Sequence, residues 1–232
     1  VAHRVGLLPV GGMSPVVLEA TGLYRFYRAG EEETAALRGV TLRALAGEFI
    51  GISGPSGSGK STLMACLAGL DEPDGGTVRI EGTRLSHRPE GERAALRSRL
   101  VGVMFQSGNL IEHLTVRRNI ELAQRLAGRY DPAWQAELLA ELRMEQRADS
   151  RPSRLSGGET ARAALAVALA THPAVVLADE PTGELDAQTE REVLDLLRDQ
   201  TEQGTVVIVA SHSAAVAHAA DRTVTMLDGE IR

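Results

Sequence analysis

The sequence predicts an α/β fold: a core of buried strands with an antiparallel β subdomain and a helical insertion. Three observations predict it. Short apolar runs recur at 49–53, 100–105, 175–178, 206–210 and 223–227, with the length and composition of buried strands. The stretch from about 107 to 160 changes to helical spacing. Ahead of the core, two strand-like runs flank a Glu-rich loop, and a Pro-Asp-Gly-Gly turn leads into a third.

Taken in order, residues 1–15 fit no element and are expected to form a disordered tail, with Val1 or Met13 as the true start. Val16–Ala20 and Val40–Ala44 read as strands on either side of Glu31-Glu32-Glu33. Phe49–Ser53 reads as a buried strand. Residues 61–70 read as a helix. Val78–Ile80, after Pro73-Asp74-Gly75-Gly76, reads as a hairpin-like edge. Leu100–Phe105 is a further strand. Within the insertion, Trp134, Leu138, Leu139 and Leu142 give residues 133–143 a helical apolar stripe. Residues 155–159 open an Ala-rich helix that Pro173 closes. The strands at 175–178 and 206–210 follow, and the last runs from Thr223 to Leu227, before Asp228-Gly229-Glu230. No internal repeat or low-complexity linker interrupts this order.

Composition is that of an ordinary soluble chain: 232 residues, 43% hydrophobic, 24% charged. That length accommodates one large α/β domain or two tight lobes. A net charge of −6 with scattered arginines argues against nucleic acid as a partner. The densest apolar stretch, Ala163–Ala170, is far short of the roughly 18 residues that a membrane span needs. No secretory signal is evident, and the single Cys66 cannot form an internal disulfide, which suits a reducing cytoplasm. Its expected role is a small core residue. Heavy Arg and Ala usage suggests a GC-rich bacterial genome.

The chain has one lysine among its 25 basic residues. It is Lys60, inside Gly54-Pro55-Ser56-Gly57-Ser58-Gly59-Lys60-Ser61-Thr62. These residues satisfy every fixed position of the phosphate-binding loop G-x-x-x-x-G-K-[ST]. A compact ammonium fits under a loop wrapped round a phosphate, where a guanidinium fork is too bulky. Glycines let the backbone turn its N–H groups inward, and the following helix adds a positive N-terminus. Lys60 is expected to neutralise β- and γ-phosphate oxygens and the Ser61 hydroxyl to ligate Mg²⁺. The α/β core is therefore read as a phosphate-loop NTPase core. Asp179 and Glu180 end the strand at 175–178. Asp179 can hold Mg²⁺ through water, and Glu180 can polarise an attacking water.

Ser156-Gly157-Gly158-Glu159 has the makings of an anion-binding helix start and also of an ordinary capping box. With the loop at 54–62 and the Asp179-Glu180 pair in this order and spacing, the chain resembles the ATP-binding subunit of an ATP-binding-cassette (ABC) transporter over residues 16–232. The resemblance implies the ABC ATPase fold, with a helical subdomain at about 107–160, and ATP and Mg²⁺ as cofactors. It implies that Gln106 senses the metal and the γ-phosphate, and that His212 is the switch histidine that orients Glu180. Gly183-Glu184-Leu185-Asp186 matches the loop that crosses a dimer interface, with Asp186 near the partner's phosphate loop. Tyr27 best matches the aromatic that stacks on adenine, and Tyr24 is the less favoured substitute. His3, His87, His113, His172 and His218 match no functional position and are read as surface or packing residues.

Gly102-Val103-Met104-Phe105-Gln106-Ser107-x-Asn109-Leu110 with His113-Leu114-Thr115-Val116 is similar to the phrase of lipoprotein-release, macrolide-export and cell-division ATPases. So are Gly69-Leu70-Asp71 and Arg147-Ala148-Asp149-x-Arg151-Pro152-Ser153. Three positions depart from the family: Glu159 stands where Gln is commoner, Val167 where Arg is frequent, and Ser213 where Asp is usual.

The resemblance implies ATP hydrolysis in a head-to-tail dimer, each site completed by a second subunit's Ser156-Gly157-Gly158. A homodimer is expected. It further implies an integral membrane permease whose coupling helix docks around residues 106–120, which places the chain on the cytoplasmic face of the inner membrane. Export or extraction of a substrate is the expected direction. A complex that signals mechanically without moving cargo is the alternative, and a soluble ABC ATPase of translation or DNA repair is a further rival.

Overall fold

The computed structural model describes residues 14–29, 32–106, 109–183 and 185–232. The expected tail up to residue 13, with His3, lies outside the described residues, as do Glu31, Ser107 and Glu184.

Two sheets form the frame. In the first, β1 (Val16–Ala29) lies between β2 (Glu32–Leu45) and β4 (Gly75–Ile80), with the short β5 (Thr83–Arg84) at the edge, all antiparallel. The second has the order β10-β9-β3-β8-β7-β6. Its strands are β3 (Phe49–Ser53), β6 (Val101–Met104), β7 (Val175–Asp179), β8 (Val206–Ala210), β9 (Arg222–Leu227) and β10 (Glu230–Ile231). All neighbours in it are parallel except β9 and β10.

The second sheet is covered on both faces, which is why its strands read as continuous apolar runs. Ile50, Ile52, Val175, Leu177, Val206 and Ile208 point into a core shared with the first sheet and α1 (Lys60–Ala68). Phe49, Val176, Ala178, Val207 and Val209 point the other way, into a core shared with helices. These helices are α3 (Val116–Leu126), α4 (Pro132–Glu141), α5 (Gly157–Leu169), α6 (Ala187–Glu202) and α7 (Ala214–Ala219). Small residues on α5 (Ala163, Ala164 and Ala166 are all buried) let it lie close to β6.

The elements differ from the sequence expectation in three places. The stretch expected as a loop between Val16–Ala20 and Val40–Ala44 is mostly strand. Register shifts near Leu23 and Phe26 break the two-residue alternation that would have revealed it. Leu100 ends a helix, α2 (Glu90–Leu100), instead of starting β6. That helix was not anticipated because it buries no residue fully and only Leu96 and Leu100 pack against the core. Arginines add to this hold: Arg97 donates to the Gly69 carbonyl at 2.6 Å, and Arg93 pairs with Glu72. Third, the chain after Leu227 turns at Asp228-Gly229 into β10.

Caps define the helices of the insertion and of the core. Asp131 accepts from the Ala133 and Trp134 N–H groups ahead of Pro132, and Thr115 accepts from Arg118. Ser213 accepts from the Ala215 N–H, so this departure keeps a side chain that caps α7. Val167 packs its apolar side chain against the helical core. Cys66 is buried, and burial together with the nearby Asp71 charge pushes its thiol up to about 12, as befits an inert core residue. His172 stacks on Trp134 at 4.0 Å. His87 and His218 bind backbone carbonyls.

Candidate functional site

The parallel strands β3, β6, β7 and β8 end at one edge of the sheet, and the chain leaving each contributes to a single cleft of about 810 Å³. A crevice at the carboxyl ends of parallel strands is where α/β sheets bind ligands. β3 leads into the loop at 54–62, β6 into Gln106, β7 into Asp179 and Glu180, and β8 into Ser211 and His212. Ser56, Gly57, Gly59, Lys60, Ser61 and Thr62 line the cleft with Gln106, Asp179, Glu180, Gly183 and His212.

The loop is built to present backbone N–H groups. Gly59, the residue before α1, caps that helix at φ 100 with no side-chain cap bond. The first turn therefore keeps donors for an anion. Gly59 is required by contact as well as conformation, since a Cβ there would lie 2.4 Å from the Ala36 carbonyl oxygen. Lys60 is only 7% exposed. Its ammonium donates to the Gly54 carbonyl at 2.7 Å and the Pro55 carbonyl at 3.1 Å, and lies 3.3 Å from His212 Nε2. Three donors thus meet three partners. An ammonium can only donate, so His212 Nε2 is the accepting atom of this pair.

Glu180 faces the same place. Its Oε2 accepts from the Ser211 hydroxyl at 2.8 Å, and its Oε1 lies 3.8 Å from His212 Nε2, beyond a hydrogen bond. The residue sits at φ 47, a left-handed conformation that a glutamate adopts at a cost. Its N–H is tied to the Ala210 carbonyl at 2.9 Å. Strand pairing thus fixes its backbone at the end of β7, with the side chain in the cleft.

Ser61, Gln106 and Asp179 bring a hydroxyl, an amide and a carboxylate oxygen to the cleft. These hard oxygen donors suit Mg²⁺. Among the described residues no group of three or more His, Cys, Asp or Glu could hold a metal by itself. Such an ion would take its other ligands from phosphate and water, as Mg²⁺ characteristically does.

Tyr27 also lines the cleft, from β1, whereas Tyr24 packs over Gly39 and Gly75 and does not. The Tyr27 phenol donates to Asp71 Oδ2 at 2.7 Å, and the Arg25 guanidinium lies 4.7 Å above its ring. Burial and the Asp71 acceptor raise the phenol pKa. Residues not anticipated from sequence complete the wall: Thr34, Ala35, Ala36 and Arg38 of β2, and Asp228-Gly229. Asp-Gly between two strand-like runs is a hairpin signal, and would have identified the last pair. Gly229 donates to the Ser58 carbonyl at 3.1 Å and accepts from the Arg38 N–H at 2.8 Å.

Ser156-Gly157-Gly158-Glu159 is not among the residues lining this cleft, nor is Asp186. Ser156 caps α5 by accepting from the Glu159 N–H, and Glu159 Oε2 accepts from the Ser156 N–H at 2.8 Å. Arg147 holds the other Glu159 oxygen at 2.7 Å. The Ser156 N–H and then Arg147 keep this carboxyl below the usual range. Asp186 caps α6, and the Thr189 hydroxyl and the Thr189 and Gln188 N–H groups lower its pKa. The two segments touch: a Cβ on Gly158 would lie 2.5 Å from Thr189 Cγ2.

The family profile described as ABC transporter matches residues 37–183. The chain belongs to the ABC transporter family. Among its relatives, the macrolide export ATP-binding/permease protein MacB of Hahella chejuensis is 40% identical over 222 residues. That match takes in 94% of this chain but 34% of MacB, so the chain spans about a third of the length of such relatives. An uncharacterized ABC transporter ATP-binding protein of Thermotoga maritima is 41% identical over 93% of each chain. Among solved structures, the dimeric post-hydrolysis state of the ATP-binding cassette MJ0796, bound to ADP and Pi, superposes with a TM-score of 0.86 at 35% identity. That superposition covers 93% of this chain and 96% of the other. The ABC ATPase fold is thus established for this chain, as is its place among ABC ATPases. Among the described residues no helix is long and apolar enough to cross a membrane.

Proposed function

We propose that this chain binds ATP with Mg²⁺ and hydrolyses it in a head-to-tail homodimer that drives a membrane permease. The observation that carries this reading is the division of its functional residues. Lys60, Gln106, Asp179, Glu180 and His212 surround one cleft, while Ser156-Gly157-Gly158 lies outside it. A second copy offering its Ser156-Gly157-Gly158 to this cleft would complete each site. The solved MJ0796 cassette, dimeric with ADP and Pi, supports that arrangement.

In this reading the loop N–H groups and Lys60 hold the β- and γ-phosphates. Lys60 exchanges its contacts with the Gly54 and Pro55 carbonyls for phosphate oxygens as nucleotide enters. Ser61, Gln106 and Asp179 hold the Mg²⁺, which supplies charge neutralisation at the phosphates. Glu180 accepts the proton of the attacking water as general base. His212, released from Lys60, contacts the γ-phosphate and orients Glu180, and Tyr27 carries the adenine. Asp186 lies at the dimer interface. The mechanical output is a population shift between open and closed dimers, driven by contacts to the γ-phosphate. The MacB relatives are named as export proteins with ATP-binding and permease parts. We therefore assign this chain to the cytoplasmic face of a bacterial inner membrane, bound to a permease that exports or extracts its substrate.

The test is co-purification from the native host with tagged Glu180→Gln protein, in ATP and Mg²⁺. A permease with a large extracytoplasmic domain in the eluate is the expected result. Recovery of only ribosomal or DNA-repair proteins would overturn the coupling to a membrane partner.

A further inference from the structure

Tyr27 is held in place by groups that the catalytic reading does not use. Asp71 lies just past α1, its N–H bound to the Ala65 carbonyl at 3.1 Å, so it is anchored to the helix that begins with Lys60. Asp71 Oδ2 accepts both the Tyr27 phenol at 2.7 Å and Arg25 Nε at 2.8 Å. Its Oδ1 accepts the Glu72 N–H at 2.9 Å. Both oxygens are thus engaged, and the carboxylate has little freedom to turn. Arg25 is fixed in turn by Asp74 at 3.2 Å, and Asp74 also accepts the Phe26 N–H at 2.7 Å. The guanidinium covers one face of the Tyr27 ring. Burial alone would lower the Arg25 pKa, but hydrogen bonds to Asp71, Tyr27 and Asp74 outweigh it and secure the cation.

We propose that Asp71 is a positioning residue for nucleotide binding: with Arg25 it tethers the Tyr27 ring of the antiparallel sheet to the end of the phosphate-loop helix. The tether sets the offset between the surface that receives the base and the loop that receives the triphosphate. Base and triphosphate are then bound as one rigid unit, although their sites belong to different sheets. This rests on the reading of Tyr27 as the base platform and of the 54–62 loop as the triphosphate site. The physical basis is preorganisation. A ring free to rotate and a hairpin free to shift would have to be ordered on binding, and that cost is removed in advance by the carboxylate. The cation covers one face, and the ring remains exposed and lines the cleft.

The test separates the two halves of the ligand. Affinities for Mg-ATP and for inorganic tripolyphosphate with Mg²⁺ are measured by calorimetry on the full chain, its Asp71→Ala and Tyr27→Phe variants, and Lys60→Ala. Asp71→Ala is expected to weaken ATP by about tenfold and to leave tripolyphosphate within about twofold. Tyr27→Phe keeps the ring but loses the tether, and is expected to weaken ATP by a few-fold with the same selectivity. A purely structural role for Asp71 would lower both ligands together, and that result overturns the proposal, as does an unchanged ATP affinity. If Asp71→Ala lacks a cooperative melt, Tyr27→Phe and Arg25→Gln give the same ratio. Failure of the underlying reading is visible separately: wild-type protein would then bind neither ligand, and Lys60→Ala would change nothing.

Discussion

Lys60 is buried with all its hydrogen bonds made inside the protein, so what it does next depends on a competing anion. Lys60→Ala should weaken Mg-ATP at least about a hundredfold, read by titration, because charge-assisted bonds to phosphate are lost together. Retained affinity would count against the loop. Glu180→Gln keeps shape and removes the base, so ATP binding should persist while turnover falls about 10²–10⁴-fold. A stable ATP-bound dimer should accumulate on size exclusion. Wild-type turnover in that variant would refute the assigned base. Glu159 offers a third test. Its carboxylate stands at the helix start that the dimer reading brings to a phosphate, and Arg147 neutralises it. Arg147→Ala should therefore weaken ATP-driven dimerisation of the Glu180→Gln protein, and adding Glu159→Gln should restore it. Absence of rescue would mean that Arg147 only supports the fold. That Lys60, Ser61 and the Asp179-Glu180 pair would meet in one cleft was legible, because they stand at the fixed positions of a phosphate-loop motif and at the tip of an apolar strand. Asp71 was quoted within a similar phrase but given no role, because its function depends on a partner in a distant strand.

At the scale of elements, the strands of the parallel sheet were legible from their apolar runs, since both faces are covered. The β1–β2 hairpin was only half legible, because its bulges disrupt the alternation. α2 was missed because only Leu96 and Leu100 face the core, and Arg-to-carbonyl and Arg-to-carboxylate contacts supply the rest of its hold. Gly158 acquires a second meaning here. Gly158 gives α5 its close approach to Thr189 on α6, as much as it leaves a helix start open to an anion. Gly158→Ala forces the Thr189 methyl to shift, and should cost about 1–3 kcal/mol of stability in chemical denaturation. Thr189→Ser in the same chain removes the clashing methyl and should recover most of that loss. If it does not, the contact is not what requires glycine.

For the whole molecule, the two sheets share one core, and polar ties fix how helices and strands meet. Asp221 is one such tie: its carboxylate accepts the Phe49 N–H at 2.8 Å and Arg198 at 2.7 Å, joining β3, α6 and the entry to β9. Arg198 first, and then the Phe49 N–H, lower its pKa despite burial. A depressed carboxyl stabilises the fold above its unfolded pKa of about 3.9, and that contribution is lost as pH falls through the lower folded value. Asp221→Asn should therefore lower the melting temperature at neutral pH and flatten its decline below about pH 4. An unchanged acid limb would show that Asp221 carries none of it.

The Gly229 contacts with Ser58 and Arg38 have a consequence for synthesis. The loop at 54–62 emerges early from the ribosome, yet one of its backbone carbonyls finds its partner only when residue 229 has been made. A nascent chain can fold its first hairpin and still lack a finished nucleotide site. Domains complete such long-range contacts late. On the proposed reading of this cleft, the loop's last backbone partner therefore arrives only with the turn that follows β9.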